Sequence, residues 1–177
     1  MLQKTRGNCK IKAFTLLELL ISMSILIVLL LIITPSIKDF VQKNIAEAKV
    51  YQIVAALQFA RSEAINRGQK VTFCKSSDGA SCSGNWISGQ IVLDADSKVI
   101  RVLDKIPDGD NLIWKSSLSE DKNDFVRFLP TGETDGQQGS FFYCSHGNPN
   151  NSFAIIIQNS GFFRVSSKTS EGKDVTC

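Results

Sequence analysis

Hydrophobic positions fall along this chain in three successive patterns. From Leu16 to Ile33 they are nearly continuous: LLELLISMSILIVLLLII, 18 residues interrupted only by Glu18, Ser22 and Ser24. At 1.5 Å per residue such a helix rises about 27 Å, close to the ~30 Å hydrocarbon layer of a bilayer, and Phe14 and Thr15 extend it. The run predicts a helix able to span a membrane. Beyond it apolar residues recur every three or four positions, at Ile37, Val41, Ile45 and Ala48 and then at Val50, Ile53, Leu57, Ala60 and Ala64. This is one face of a 3.6-period helix, and Arg67 followed by Gly68 supplies a stop signal. The stripe from Ile53 onward is expected to pack on the protein's own sheet. From Gln69 the texture changes to short β-branched and aromatic runs separated by Gly, Asn, Asp and Ser. These predict strands at Val71–Cys74, Trp86–Leu93, Val99–Leu103, Asn111–Lys115, Phe125–Leu129, Ser140–Cys144, Phe153–Gln158 and Phe162–Ser166. Asn159-Ser160-Gly161 marks a hairpin between the last two, because Gly readily takes the φ > 0 that such a turn needs.

The predicted fold class is α+β, a lollipop in which one long N-terminal helix carries a globular head. Its first half spans the membrane, and its amphipathic second half covers a mostly antiparallel β-sheet. The segments divide as 1–13, a basic head; 14–35, the spanning helix; 36–68, the amphipathic half of the helix; and 69–177, the β-rich globular part. A helix over 14–67 is about 80 Å long, so half of it is expected to project. Pro35 removes a backbone donor and is expected to kink or loosen its turn.

Composition and charge sharpen this picture. With 43% hydrophobic and 21% charged residues among 177, and only 4 Pro and 12 Gly, the chain is too apolar to be disordered. The net charge of +3 is segregated. Lys4, Arg6, Lys10 and Lys12 lie in the first 13 residues with no acid, and the remainder holds 16 basic against 17 acidic residues. The basic head predicts a cytoplasmic N-terminus and a translocated globular part. A secretory signal peptide fits poorly, since the apolar run exceeds the usual 7–15 residues and ends in Thr34-Pro35-Ser36 without a small-x-small site. An ordinary signal anchor has no use for Glu18. A carboxylate within the apolar layer costs at least ~2.5 kcal/mol, so a functional partner is expected for it.

Lys12-Ala13-Phe14-Thr15-Leu16-Leu17-Glu18 closely resembles the cleavage signature of type IV pilin-like precursors. These have a basic leader, a small residue, and then Phe-Thr-Leu-x-Glu opening an apolar helix. The family's usual Gly before the cut is here Ala13, a residue of similar size. The resemblance implies that a prepilin peptidase removes 1–13 as a leader peptide and methylates the new terminal Phe14, which retains the charge of the amine. It further implies that Glu18 pairs with the Phe14 amine of a neighbouring subunit, setting the axial register of assembly. Pro35 matches the helix-kinking proline that these proteins carry. A second block resembles the opening of the GspH/FimT minor pilin and pseudopilin domain: Cys74, Ser76-Ser77-Asp78-Gly79, Cys82 and Trp86-Ile87-Ser88-Gly89 before a strand. Phe128-Leu129-Pro130-Thr131-Gly132 and Asn159-Ser160-Gly161-Phe162-Phe163-Arg164 stand where that family has its next two turns.

Of five cysteines, Cys9 would leave with the leader, and four would reach an oxidising compartment. Those four allow three pairings. Proximity favours Cys74–Cys82 and leaves Cys144–Cys177 to tie down the polar tail. A zinc site is disfavoured, because the spacing is not CxxC and such a compartment oxidises thiols.

No enzymatic pattern stands out. His146, the sole histidine, sits in Ser145-His146-Gly147-Asn148-Pro149 and reads as a solvated loop residue. Asp94-Ala95-Asp96 and Asp108-Gly109-Asp110 lack the ligand count of a calcium loop and read as turns. No cofactor, metal or catalytic residue is expected.

The resemblance implies a minor pilin or pseudopilin in the tip or initiating complex of a type IV pilus or type II secretion filament. It would lie in the inner membrane with a periplasmic globular part before entering the filament. Its partners would be other minor and major pilins or pseudopilins and the inner-membrane assembly platform. The alternative is a DNA-binding pilin for DNA uptake, since some FimT-type members bind DNA through Gly-Arg-x-Arg in the last hairpin. Here that place reads Gly161-Phe162-Phe163-Arg164. Only Arg164 matches, with Lys168 and Lys173 as possible companions, and weak DNA binding is expected.

Overall fold

The structure is a computed structural model that describes residues 15–116, 124–146 and 148–175, without the side chains of 32–36 and 148–150. Among the described residues there is one helix, α1 (Leu16–Arg67), followed by eight strands: β1 (Val71–Lys75), β2 (Gln90–Leu93), β3 (Val99–Leu103), β4 (Asn111–Ser116), β5 (Phe125–Phe128), β6 (Gly139–Ser145), β7 (Asn148–Ile157) and β8 (Phe163–Ser166). The chain divides between Phe40 and Val41 into two compact units.

Local chemistry sets both ends of α1. The Thr15 hydroxyl accepts from the Glu18 backbone N–H at 3.2 Å, an N-cap. At the other end Gly68 turns left-handed, with φ of 63°. Its N–H reaches the Ile65 carbonyl, and the Gln69 N–H reaches the Ala64 carbonyl, each at 3.3 Å. This is a Schellman closure. Arg67, in the last turn, bonds Glu63 four residues back at 2.6 Å.

The predicted single sheet is two. One has the order β3-β2-β1-β5 and the other β4-β6-β7-β8, and every pairing is antiparallel. Neither sheet is consecutive in sequence, because β5 returns to the edge beside β1 while β4 starts the second sheet. Inward side chains of both sheets meet the buried face of α1 in one core. Val50, Ile53, Leu57, Ala60 and Ala64 pack with Val71, Phe73, Val92, Val126 and Phe128 of the first sheet and Leu112, Phe141, Tyr143, Ile155 and Ile157 of the second. The expectation for the stripe from Ile53 onward holds.

Two strand boundaries differ from their predictions by more than one residue. One is that of β7, which starts at Asn148, five residues before the expected Phe153. At the other, Trp86–Ser88 is a turn, and β2 starts only at Gln90. The Asn85 carboxamide oxygen accepts from the Ser88 N–H at 2.8 Å and its hydroxyl at 2.7 Å, closing the turn. Trp86 still enters the core, stacked on Phe73 at 5.6 Å and edge-on to Phe141 at 4.8 Å. Burial of an aromatic side chain therefore does not require a strand at that position.

The outward faces of the sheets carry two smaller apolar clusters. Cys74, Ile91 and Leu93, with Val99 and Phe125, form one on the first sheet. On the second sheet, Ala154, Ile156 and Phe142 receive Val175 from the C-terminal tail.

Candidate functional site

The first unit contributes an apolar surface. From Leu16 to Leu31 every large hydrophobic side chain of α1 is exposed, at 50% or more. The two hydroxyls of this stretch bond to the helix itself, Ser22 to the Glu18 carbonyl and Ser24 to the Ile21 carbonyl, both at 2.7 Å. They present little polarity outward. Glu18 stands exposed in the first turn, and its carboxylate has no partner among the described residues. Among those residues no helix is long and apolar enough to cross a membrane. The described side chains of the apolar run stop at Leu31, two residues short of the run counted in the sequence. Ala13 and Phe14 lie outside the described residues, as does the side chain of Pro35.

In the second unit, the face of α1 turned away from the core carries a pattern of which the apolar spacing picked out only Val41 and Ala48. Val41, Asn44, Ala48, Tyr51, Ala55, Gln58, Ser62 and Ile65 are all exposed. They alternate at spacings of three and four, a seven-residue repeat. None is charged, although Lys43, Glu47, Lys49, Arg61 and Glu63 stand on either side. Small residues at 48, 55 and 62 alternate with larger ones at 51, 58 and 65, so a second helix can approach at the 8–10 Å typical of packed helices. The apolar spacing divides between the two faces. From Val50 onward it marks the buried side, whereas Ile37, Val41, Ile45 and Ala48, expected in the same stripe, are exposed, and Val41 and Ala48 belong to this outer face. The signal for this face is the absence of charge.

At its lower end the face meets the paired turns. Arg61 donates from Nε to the Gly132 carbonyl at 2.8 Å and from a terminal guanidinium nitrogen to the Ser160 carbonyl at 3.3 Å. The Thr134 N–H reaches the Asn159 carbonyl at 2.9 Å. The two turns singled out in the sequence are thus fastened to each other and to the helix. Gly161, at φ of 74°, approaches so closely that a Cβ there would lie 2.0 Å from the Gly132 carbonyl oxygen. Beside them Phe162 is 58% exposed. It forms a shallow groove of about 550 Å³ with Gln58, Ser62 and Ile65.

Arg164, Lys168 and Lys173 are all exposed, on β8 and the tail hairpin. The tail closes through the Thr169 N–H to Lys173 carbonyl bond at 2.7 Å. Lys173 pairs with Glu171 at 3.0 Å, and Asp174 bridges Lys168 in backbone register. The acids are interleaved with the bases, which leaves little local positive field.

Cys74 and Cys82 form a disulfide with a Cα separation of 5.6 Å. Cys144 is buried and also disulfide-bonded; Cys177 lies outside the described residues. Within the Cys74–Cys82 loop, Asp78 acts as a knot. Its Oδ1 accepts from the N–H groups of Ala80 and Ser81, both at 2.9 Å, and from the Ser76 hydroxyl at 3.0 Å, while Oδ2 accepts from the Ser81 hydroxyl at 2.7 Å. The backbone donors of Ala80 and Ser81, joined by the two hydroxyls, hold its carboxyl well below the usual carboxylate range.

His146 is not the freely solvated residue expected. Its Nδ1 lies 2.8 Å from Oδ1 of Asp110, whose side chain is 1% exposed while the imidazole is 50% exposed. Asp110 also accepts from the Tyr143 hydroxyl at 2.5 Å, the Ser145 hydroxyl at 3.0 Å and the His146 N–H at 3.1 Å. Burial, followed by the bond to Asp110 and its charge, raises the Tyr143 phenol above its ordinary range. Asp110 is therefore a buried structural clasp rather than a plain turn residue. Among the described residues no cluster of His, Cys, Asp or Glu is large enough to hold a metal ion.

Residues 50–161 match the family described as type II transport protein GspH, and residues 8–34 match the prokaryotic N-terminal methylation motif. The family match covers more than half of the chain. The chain belongs to the GspH family of minor pilins and pseudopilins. The methylation motif marks it as an inner-membrane-anchored protein of the prepilin type. The fold agrees with solved structures of low identity. The type IV minor pilin FimU of Pseudomonas aeruginosa superposes with TM-scores of 0.57 and 0.52 in two crystal forms, at 19% and 20% identity, covering 75% and 73% of this chain and 98% and 97% of FimU. The minor pseudopilin EpsH from the type 2 secretion system of Vibrio cholerae does so at 0.50 and 16% identity, over 68% of this chain and 95% of EpsH. No curated protein sequence matches the chain.

Proposed function

We propose that this chain is a structural subunit of a type IV pilus or type II secretion filament, positioned in its tip or initiating complex. One observation carries the reading: a methylation motif over 8–34, within which Glu18 stands exposed in the first turn of the apolar helix, precedes a GspH match over 50–161. A prepilin peptidase cuts after Ala13, the N-terminus stays cytoplasmic, and the β-rich unit is exported. The Phe14 amine then receives Glu18 of a neighbouring subunit, offsetting the cost of placing that carboxylate in an apolar layer. In the second unit, the charge-free face of α1 from Val41 to Ile65 seats neighbouring helices. The minor-subunit class of FimU and EpsH supports a place at the tip or initiating complex.

Sheared filaments from cells expressing the chain provide the test. Wild-type protein should co-purify with them at a small fraction of the major subunit. Glu18→Ala should be processed yet remain in the membrane. Equal incorporation of Glu18→Ala would refute the pairing, and absence of the wild-type chain from any filament would refute the assignment.

A further inference from the structure

The two sulfurs of the Cys74–Cys82 bond occupy opposite environments. Cys74 sits within β1, fully buried against Ile91 and Leu93 on the outward face of the first sheet. Cys82 is exposed on the returning loop. It lines an open groove of about 620 Å³ together with Thr72, Leu93, Phe125 and Arg127. Thiol–disulfide exchange requires the attacking sulfur to reach its target in the open. A partner thiolate or disulfide reaches Cys82 from this groove, whereas Cys74 is screened by the apolar cluster.

The loop between them is held by hydrogen bonds as well as by the disulfide. The Asp78 carboxylate gathers Ser76, Ala80 and Ser81 as described. The Ser83 N–H also donates to the Lys75 carbonyl at 3.1 Å. These bonds hold residue 82 over residue 74 and convert closure of the loop into a reaction between groups already in place.

We propose that Cys82 is an S-thiolation site, the sulfur through which a disulfide-bearing oxidant installs this bond, and that Asp78 positions it for capture by Cys74. In the first step the Cys82 thiolate, its proton lost to solvent, attacks a sulfur of the oxidant disulfide. A mixed disulfide forms at Cys82, and one oxidant sulfur leaves as a thiolate. In the second step the Cys74 thiolate attacks Sγ of Cys82 and expels the other oxidant sulfur. The cysteine pair gives up two electrons, and the oxidant disulfide is reduced to two thiols, which recover protons from solvent. Asp78 touches neither sulfur and is a positioning residue.

Full-length protein in detergent, reduced and then exposed to glutathione disulfide, provides the test, with acid quenching and peptide mapping at intervals. Glutathione should appear first on Cys82 and pass into the Cys74–Cys82 bond. Cys74→Ser should hold the Cys82 adduct indefinitely. Asp78→Ala should acquire the adduct at the wild-type rate but close it about ten-fold more slowly. Native oxidised protein treated with glutathione thiol gives a readout that does not depend on refolding, and its trapped mixed disulfide should map to Cys82. Adducts on Cys74 as early as on Cys82, or wild-type closure in Asp78→Ala, would overturn the proposal.

Discussion

Asp110 shows how much a single buried carboxylate can organise. Four donors from Tyr143, Ser145 and His146 converge on it, joining the start of β4 to the end of β6. Tyr143→Phe leaves the acceptor one donor short and should cost about 1.5–3 kcal/mol at neutral pH, the range for hydrogen bonds to charged groups, read by chemical denaturation. The same substitution should alter the alkaline limb. The folded phenol is raised above its ordinary 10.0, so it keeps its proton where the unfolded chain loses it. Its contribution is complete below about pH 10 and falls as pH rises toward the folded value. Tyr143→Phe should therefore flatten the loss of stability above pH 10. Asp78 behaves oppositely. Its carboxyl is depressed from 3.8, so its contribution is present above that value and is lost on further acidification. Asp78→Ala should weaken the acid dependence below pH 4.

Among the elements, α1 was the most legible from sequence and also hid the most. Its end at Arg67 followed from Gly68, and its buried stripe from Val50 onward from the apolar spacing, because both are local properties of the chain, whereas Ile37, Val41, Ile45 and Ala48 are exposed. Its exposed face was not legible, since Asn44, Gln58 and Ser62 look like solvent positions until burial of the opposite side fixes their register. That face predicts an outcome. Ala55→Arg places a charge at the middle of the seam, away from the core, and should lower incorporation into filaments at least ten-fold while thermal unfolding shifts by less than the few degrees expected of a benign surface change. Normal incorporation would remove this face from the assembly interface. Strand positions were largely readable from β-branched and aromatic runs, but their division into two sheets was not. Pairing of β4 with β6 rather than β5 is a non-local choice, as is the meeting of Asp110 with His146, 36 residues away. Trp86 was misplaced into a strand because its size and β-propensity outweighed Asn85 and Gly89, which in fact shape the turn.

At the scale of the whole molecule, charge and processing decide what the chain can join. Without the head, basic and acidic residues are nearly balanced, and Arg164, Lys168 and Lys173 are interspersed with Glu171 and Asp174. Titration of the protein with duplex DNA should therefore give only weak binding, with a dissociation constant of roughly 0.1 mM or above at physiological salt, and Arg164→Ala should change it little. Micromolar binding abolished by that substitution would favour the DNA-uptake reading.

The central claim is that the chain becomes a filament subunit only after its basic head is cut away. Intact mass and N-terminal sequencing of the protein from filament and membrane fractions test it most directly. Removal of 13 of the 177 residues leaves 164, and the account predicts a 164-residue chain whose first residue is N-methylated Phe14. A mature protein that still carries Lys10 and Lys12 would contradict it.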